Sequence, residues 1–131
     1  MQASQRMLWL RRLLLLKVFL CFVVWGLPAL WASPTVLQLF GFAVPEDPIF
    51  LRSFGALAIA MGVAYGYAYR DPLKNAAILR VGVADNGLAT LSVLLTALTT
   101  GLSSWFVGVS GVLTAGFAIA FLLLTPRGAD V

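Results

Sequence analysis

Four long apolar runs alternate with short polar breaks along this chain. The first, LLLLKVFLCFVVWGLPALW, runs from Leu13 to Trp31 behind a basic, amphipathic segment, residues 1–12, that carries Arg6, Trp9, Arg11 and Arg12. The second spans Ile49 to Tyr69, the third is centred on Arg80 to Thr100, and the fourth runs from Trp105 to Thr125. About 20 apolar residues at 1.5 Å each cross a hydrocarbon core of about 30 Å, so each run is long enough to be a transmembrane helix. Between the first two lies the longest connection, residues 33–49. There Ser33-Pro34 followed by Gly41 predicts a short capped helix in the membrane interface, and Pro45 and Pro48 turn the chain back. Asp71-Pro72 predicts a cap and first helical position for the third helix, which Gly101 ends; Pro126 stops the fourth. The pattern predicts an all-α membrane protein, one domain over 1–131: a four-transmembrane-helix bundle with a short interfacial helix in its first outer loop.

Polar and small residues inside these runs predict how the helices meet. Asp85, Ala89, Ser92, Thr96 and Thr99 fall at i, i+4, i+7, i+11 and i+14, a narrow stripe that is expected to face protein rather than lipid. Ser104, Gly108, Gly111, Ala115 and Ala118 repeat that spacing across a short turn, so the third and fourth helices are expected to pack as a tight antiparallel hairpin through these two faces. Gly55, Gly62 and Gly66, with Ala58, give the second helix a smooth face suited to close helix approach. Pro28 removes a backbone donor and predicts a kink near Val24 to Gly26. Arg11-Arg12 before an apolar run resembles a twin-arginine signal, but Leu30-Trp31-Ala32 is a poor small-x-small cleavage site, and the run is read as a span.

Composition agrees with the pattern. The 131 residues are 61% hydrophobic and 11% charged, against roughly 45–50% and about 25% in soluble domains, and the mean hydropathy is +0.97. Nine basic against five acidic residues do not make a nucleic-acid binder, because the basic residues punctuate apolar segments instead of clustering on a solvated face. They report topology instead. With both termini cytoplasmic, only Arg52 of the nine lies outside, a strong positive-inside bias that predicts an inner-membrane protein. The absence of histidine excludes His-ligated haem and metal sites and any His general base within the chain, and a lone cysteine, Cys21, excludes a disulfide framework. No cofactor and no metal are expected.

The candidate site comprises the polar groups that the runs carry at depth. Asp85 and Lys17 lie about equally far into the same leaflet, which predicts a Lys17–Asp85 contact with Asn86 and Tyr65 as hydrogen-bond neighbours; Lys17 snorkelling alone to the headgroups is the alternative. Asp85 then either ties helices together or handles a ligand or proton. Arg52, at the outer end of the second run, is expected to pair with Glu46 or Asp47, with an anion or lipid headgroup as the functional alternative. Gly82-x-x-x-x-Gly87 lacks the lysine and strand of a phosphate loop. Trp9, Trp25, Trp31 and Trp105 read as interfacial anchors, Cys21 as inert packing, and no serine has an evident base.

Leu51-Arg52-Ser53-Phe54-Gly55, then Gly62, Tyr65 and Arg70-Asp71-Pro72, resemble the corresponding stretches of small bacterial four-helix membrane proteins, the BphX-like and related families of unknown function. The Arg-x-Phe-Gly opening and four-span layout are also similar to the scaffold proteins of sterol biosynthesis, which implies a tethering role. Two function classes follow. One is a non-enzymatic scaffold or accessory subunit that docks another membrane protein or a second copy through its glycine faces. The other is a small carrier or binding protein for a hydrophobic or anionic ligand in a cavity near Asp85. Membrane lipids are partners in both, and an enzyme is the least supported class, because its polar groups divide between opposite leaflets.

Overall fold

The computed structural model describes residues 3–126, all of whose regular structure is helical. The first span, Ala3–Trp31, consists of α1 (Ala3–Phe19), a π-helical stretch (Leu20–Gly26) and α2 (Leu27–Trp31). A short helix, α3 (Pro34–Leu39), follows, and then three long ones: α4 (Ile49–Arg70), α5 (Ala76–Thr99) and α6 (Trp105–Leu124). Four helices are long and apolar enough to cross a membrane, and the chain is an integral membrane protein.

The basic N-terminal segment is continuous with the first span. From Ala3 it is already part of the first span, with Leu10 and Leu14 fully buried. Arg6 explains why it packs: its Nη2 donates to the carbonyls of Leu123 and Thr125 at 2.7 and 3.1 Å, serving the orphan C-terminal carbonyls of α6. The start of the first span and the end of α6 thereby meet on one side of the bundle. On the other side Ser104 does not cap α6 with its hydroxyl. It donates to the Phe40 carbonyl at 2.6 Å, and Phe40 stacks on Phe106 with centroids 4.6 Å apart, which pins the loop helix over the α5–α6 turn.

The expected kink takes the form of the π-helical stretch. Pro28 has no N–H and its ring crowds the carbonyl one turn back, and a wider winding relieves both conflicts. Gly26 closes this stretch where space is least. A Cβ on Gly26 would collide with the Cys21 carbonyl and would lie 2.6 Å from Ile59 Cγ1; one on Gly55 would collide with Leu30 N and lie 2.6 Å from the Gly26 carbonyl oxygen. The first span and α4 therefore cross backbone to backbone at Gly26 and Gly55. Gly62 continues the contact, its absent Cβ making room for the Phe22 ring, whereas Gly66 meets nothing and plays no part in it.

Two expectations about the other helices need correction. The third helix begins at Ala76, not at Pro72: residues 72–75 form a turn in which Asp71 Oδ1 accepts from Lys74 N, and Asn75 Nδ2 donates to the Tyr67 and Asp71 carbonyls. Asn75 thus closes the end of α4, and the chain becomes helical only after it. The α5–α6 hairpin forms, but not through the Asp85-to-Thr99 stripe. Gly111 receives Val93, whose Cγ1 would lie 2.7 Å from a Cβ there, and the hydroxyls of Thr90 and Thr114 sit 2.9 Å apart. Gly108 meets only Leu102 of the preceding turn. Thr96 and Thr99 are exposed and donate to their own helix, to the carbonyls of Ser92 and Leu95. A hydroxyl satisfied by the carbonyl one turn back carries little penalty toward lipid, which removes the premise that this half of the stripe must face protein.

Gly55→Ala is expected to destabilise the protein by about 1–3 kcal/mol, because its methyl meets backbone that cannot rotate away. Gly66→Ala is expected to be neutral or to stabilise by up to about 1 kcal/mol. Thermal unfolding of both variants in the same lipid nanodisc checks the contrast.

Candidate functional site

At 1.5 Å per residue, Lys17 lies about 21 Å along the first span and Asp85 about 14 Å into α5, so both fall well inside a core about 30 Å thick. Lys17 is 2% exposed and does not snorkel. Its Nζ donates to Asn86 Oδ1 at 2.5 Å and lies 4.5 Å from the centroid of Trp25, 4.8 Å from Phe117 and 5.6 Å from Tyr65. These contacts explain why the ammonium needs no carboxylate against it. A lysine at the centre of a membrane helix costs roughly 2.5–3.5 kcal/mol on insertion scales. A hydrogen bond to a charged group returns about 1.5–3 kcal/mol, and a desolvated ring contact about 2 kcal/mol.

Asp85 is reached through neutral relays rather than directly. Asn86, fully buried, donates from Nδ2 to Tyr65 Oη at 3.1 Å and to the Gly82 carbonyl at 2.7 Å. The Tyr65 hydroxyl in turn donates to Asp85 Oδ2 at 3.0 Å. The expected Lys17–Asp85 contact is therefore a path, Lys17 to Asn86 to Tyr65 to Asp85, that ties the first span, α4 and α5 at one level. Local sequence supports this placement. Gly82 leaves room for the Tyr65 ring, which would lie 2.9 Å from a Cβ there, and Tyr65 packs on Phe121 of α6 at 5.6 Å.

Above this path, α4 and α5 part around a cavity of about 400 Å³. Lys17, Asp85 and Asn86 form its polar end; Trp25, Phe42, Phe54 and Phe106 supply rings; Leu57, Ala58 and Met61 of α4 add apolar wall, and Ser110 and Thr114 of α6 add hydroxyls. Ala89 and Ser92 of α5 also line it, so the near half of the polar stripe faces this cavity rather than the packed hairpin. Phe54, Leu57 and Ser92 are exposed, so the cavity opens sideways, toward the acyl chains, between α4 and α5. Asp85 is half-buried, and its Oδ1 has no hydrogen-bond partner among the described residues.

Arg52 does not belong to the site. It is exposed, and neither Glu46 nor Asp47 pairs with it among the described residues; Asp47 Oδ1 instead accepts from Ile49 N and starts α4. Three residues that sequence reasoning assigned elsewhere or left unassigned do belong. Trp25 is not an interfacial anchor: it is 6% exposed, covers the Lys17 ammonium, and its Nε1 donates to Ser110 Oγ of α6 at 2.9 Å. Its position in the middle of an apolar run, not at its end, is the signal that distinguishes it from the other tryptophans. Phe117 closes the aromatic surround of the ammonium, and Cys21, buried, lines the cavity beside it.

Compared with protein-family models, with curated proteins and with solved structures, the chain matches none.

Asn86→Leu leaves the Lys17 ammonium without its hydrogen-bond acceptor and is expected to destabilise by about 1–3 kcal/mol or more, the cost of an unsatisfied buried polar group. The double variant Lys17→Met/Asn86→Leu is expected to be more stable than Asn86→Leu alone, because removing both partners removes the unpaired charge. A double-mutant cycle of unfolding free energies checks this.

Proposed function

We propose that this integral membrane protein is a small binding or carrier protein for a lipid-soluble ligand, held in the cavity between α4 and α5. The observation that supports the reading is the coincidence of two features. Lys17 and Asp85, the two charged side chains that the chain brings deep into the hydrocarbon region, stand with Asn86 at one end of a cavity whose remaining lining is mainly apolar and aromatic, with the hydroxyls of Ser92, Ser110 and Thr114 as its other polar groups. Ligand sites combine an apolar enclosure of some 300–1,000 Å³ with a few convergent polar groups, and ionisable residues at membrane depth mark function by default. The lateral opening gives a lipid-soluble molecule an entry path without leaving the bilayer. Positive-inside bias orients the protein with both termini in the cytoplasm of a bacterial inner membrane, which puts the mouth of the cavity on the outer side of the polar path.

The alternative reading, a scaffold that docks through glycine faces, draws on fewer positions than the sequence offered: Gly55 and Gly62 are occupied by the first span and Gly111 by α5, while Gly66 meets nothing and stays open to a partner helix.

Ala89→Phe places a ring in the cavity and is expected to abolish ligand retention while lowering unfolding stability by no more than about 1–3 kcal/mol, the range for added core volume. Native mass spectrometry of protein extracted directly into nanodiscs checks it: wild type carries a small hydrophobic molecule in addition to nanodisc lipid. A wild type that is empty, or an Ala89→Phe variant that carries the same molecule, overturns the proposal.

A further inference from the structure

The two charges of the site are unequally available, and this difference selects a ligand class. Lys17 is 2% exposed, its ammonium held by Asn86 and covered by the rings of Trp25, Tyr65 and Phe117. Lys17 lines the end of the cavity but exposes almost none of its surface, so an anionic group there competes with Asn86 and the rings for the ammonium. Asp85 is half-buried and has engaged one carboxylate oxygen only, Oδ2 toward Tyr65. Its other oxygen is an acceptor that demands a donor in a region where water is scarce. Phe42, Phe54 and Phe106 also line the cavity, and aromatic rings attract cations.

We infer that the cavity takes a lipophilic ammonium cation, an aromatic or alkyl amine whose N–H donates to Asp85 Oδ1 while its apolar body lies among the rings and α4. The inference rests on the proposed ligand-binding role and sharpens it, replacing the hydrophobic or anionic ligand of the sequence reading with a cationic one. An ammonium and an alcohol can both donate to the ionised carboxylate, but only the ammonium adds the attraction of opposite charges. In a site screened from water it outweighs what an alcohol of the same shape can offer. Lys17 then has a second role. Its fixed positive charge offsets the carboxylate across the Asn86–Tyr65 path, so that the empty site is not a lone anion in the membrane.

Three probes of one shape separate the possibilities: 1-naphthylmethylamine, 1-naphthylmethanol and 1-naphthoate, titrated into full-length protein in phosphatidylcholine nanodiscs, with empty nanodiscs as the partition control. Saturable one-to-one binding of the amine is expected, at least ten-fold tighter than the alcohol, with the naphthoate weakest. Asp85→Asn is expected to reduce the amine to the affinity of the alcohol and to leave the alcohol unchanged. Naphthoate binding as tightly as the amine, or equal affinity of amine and alcohol in wild type, overturns the cationic assignment while leaving the cavity reading intact. No saturable binding of any probe, with Ala89→Phe indistinguishable from wild type, overturns both. The comparison of head groups on wild type decides the assignment even if Asp85→Asn does not fold.

Discussion

A positive charge held inside the hydrocarbon layer is the constraint around which the bundle is arranged. Lys17 is almost completely buried, and its nitrogen is served by one amide oxygen and three aromatic rings, drawn from the first span and from α4, α5 and α6. Each of the four spans thereby contributes a group to one small volume. A set of helices that has no hydrophobic drive to associate in lipid acquires a specific register from this requirement, because sliding any one of them removes a partner of the ammonium.

The glycine contacts act on the same arrangement from the other side. Backbone approach at Gly26 and Gly55 seats α4 on the first span, and the small residues at Gly82 and Gly111 let Tyr65 and Val93 seat. Close packing is therefore concentrated along the first span and α4, at Gly82 and in the α5–α6 hairpin. Beyond Asp85, α4 and α5 have no such pair, and the cavity occupies the space between them.

Much of this was legible in the chain. Four apolar runs, the Pro45–Pro48 reversal, Gly101 and the Gly55/Gly62 face are local signals, and local signals fix helices and their order. Asp85, Asn86, Lys17 and Tyr65 announced themselves as polar groups at compatible depths. Their wiring was not legible, because depth gives one coordinate of three: only the rotation of the helices decides that Asn86, and not Asp85, meets Lys17. The stripe from Asp85 to Thr99 misled for a related reason. Periodicity identifies a face without saying what covers it, and a threonine that bonds its own helix can face lipid. Trp25 was misread because tryptophans in membrane proteins favour the interface, a tendency that a buried cation overrides.

The π-helical stretch ahead of Pro28 has a geometric effect well beyond its seven residues. On an unbroken α-helix, side chains eight positions apart are rotated by about 80° around the axis. Lys17 and Trp25 are eight apart, yet the indole lies over the ammonium at 4.5 Å. Winding more residues into the intervening turn makes up that angle and brings them onto one side. A proline whose immediate effect is a missing donor thus acts as a phase shifter: it sets which residues of the first span look at the interior of the bundle and which at the surrounding lipid.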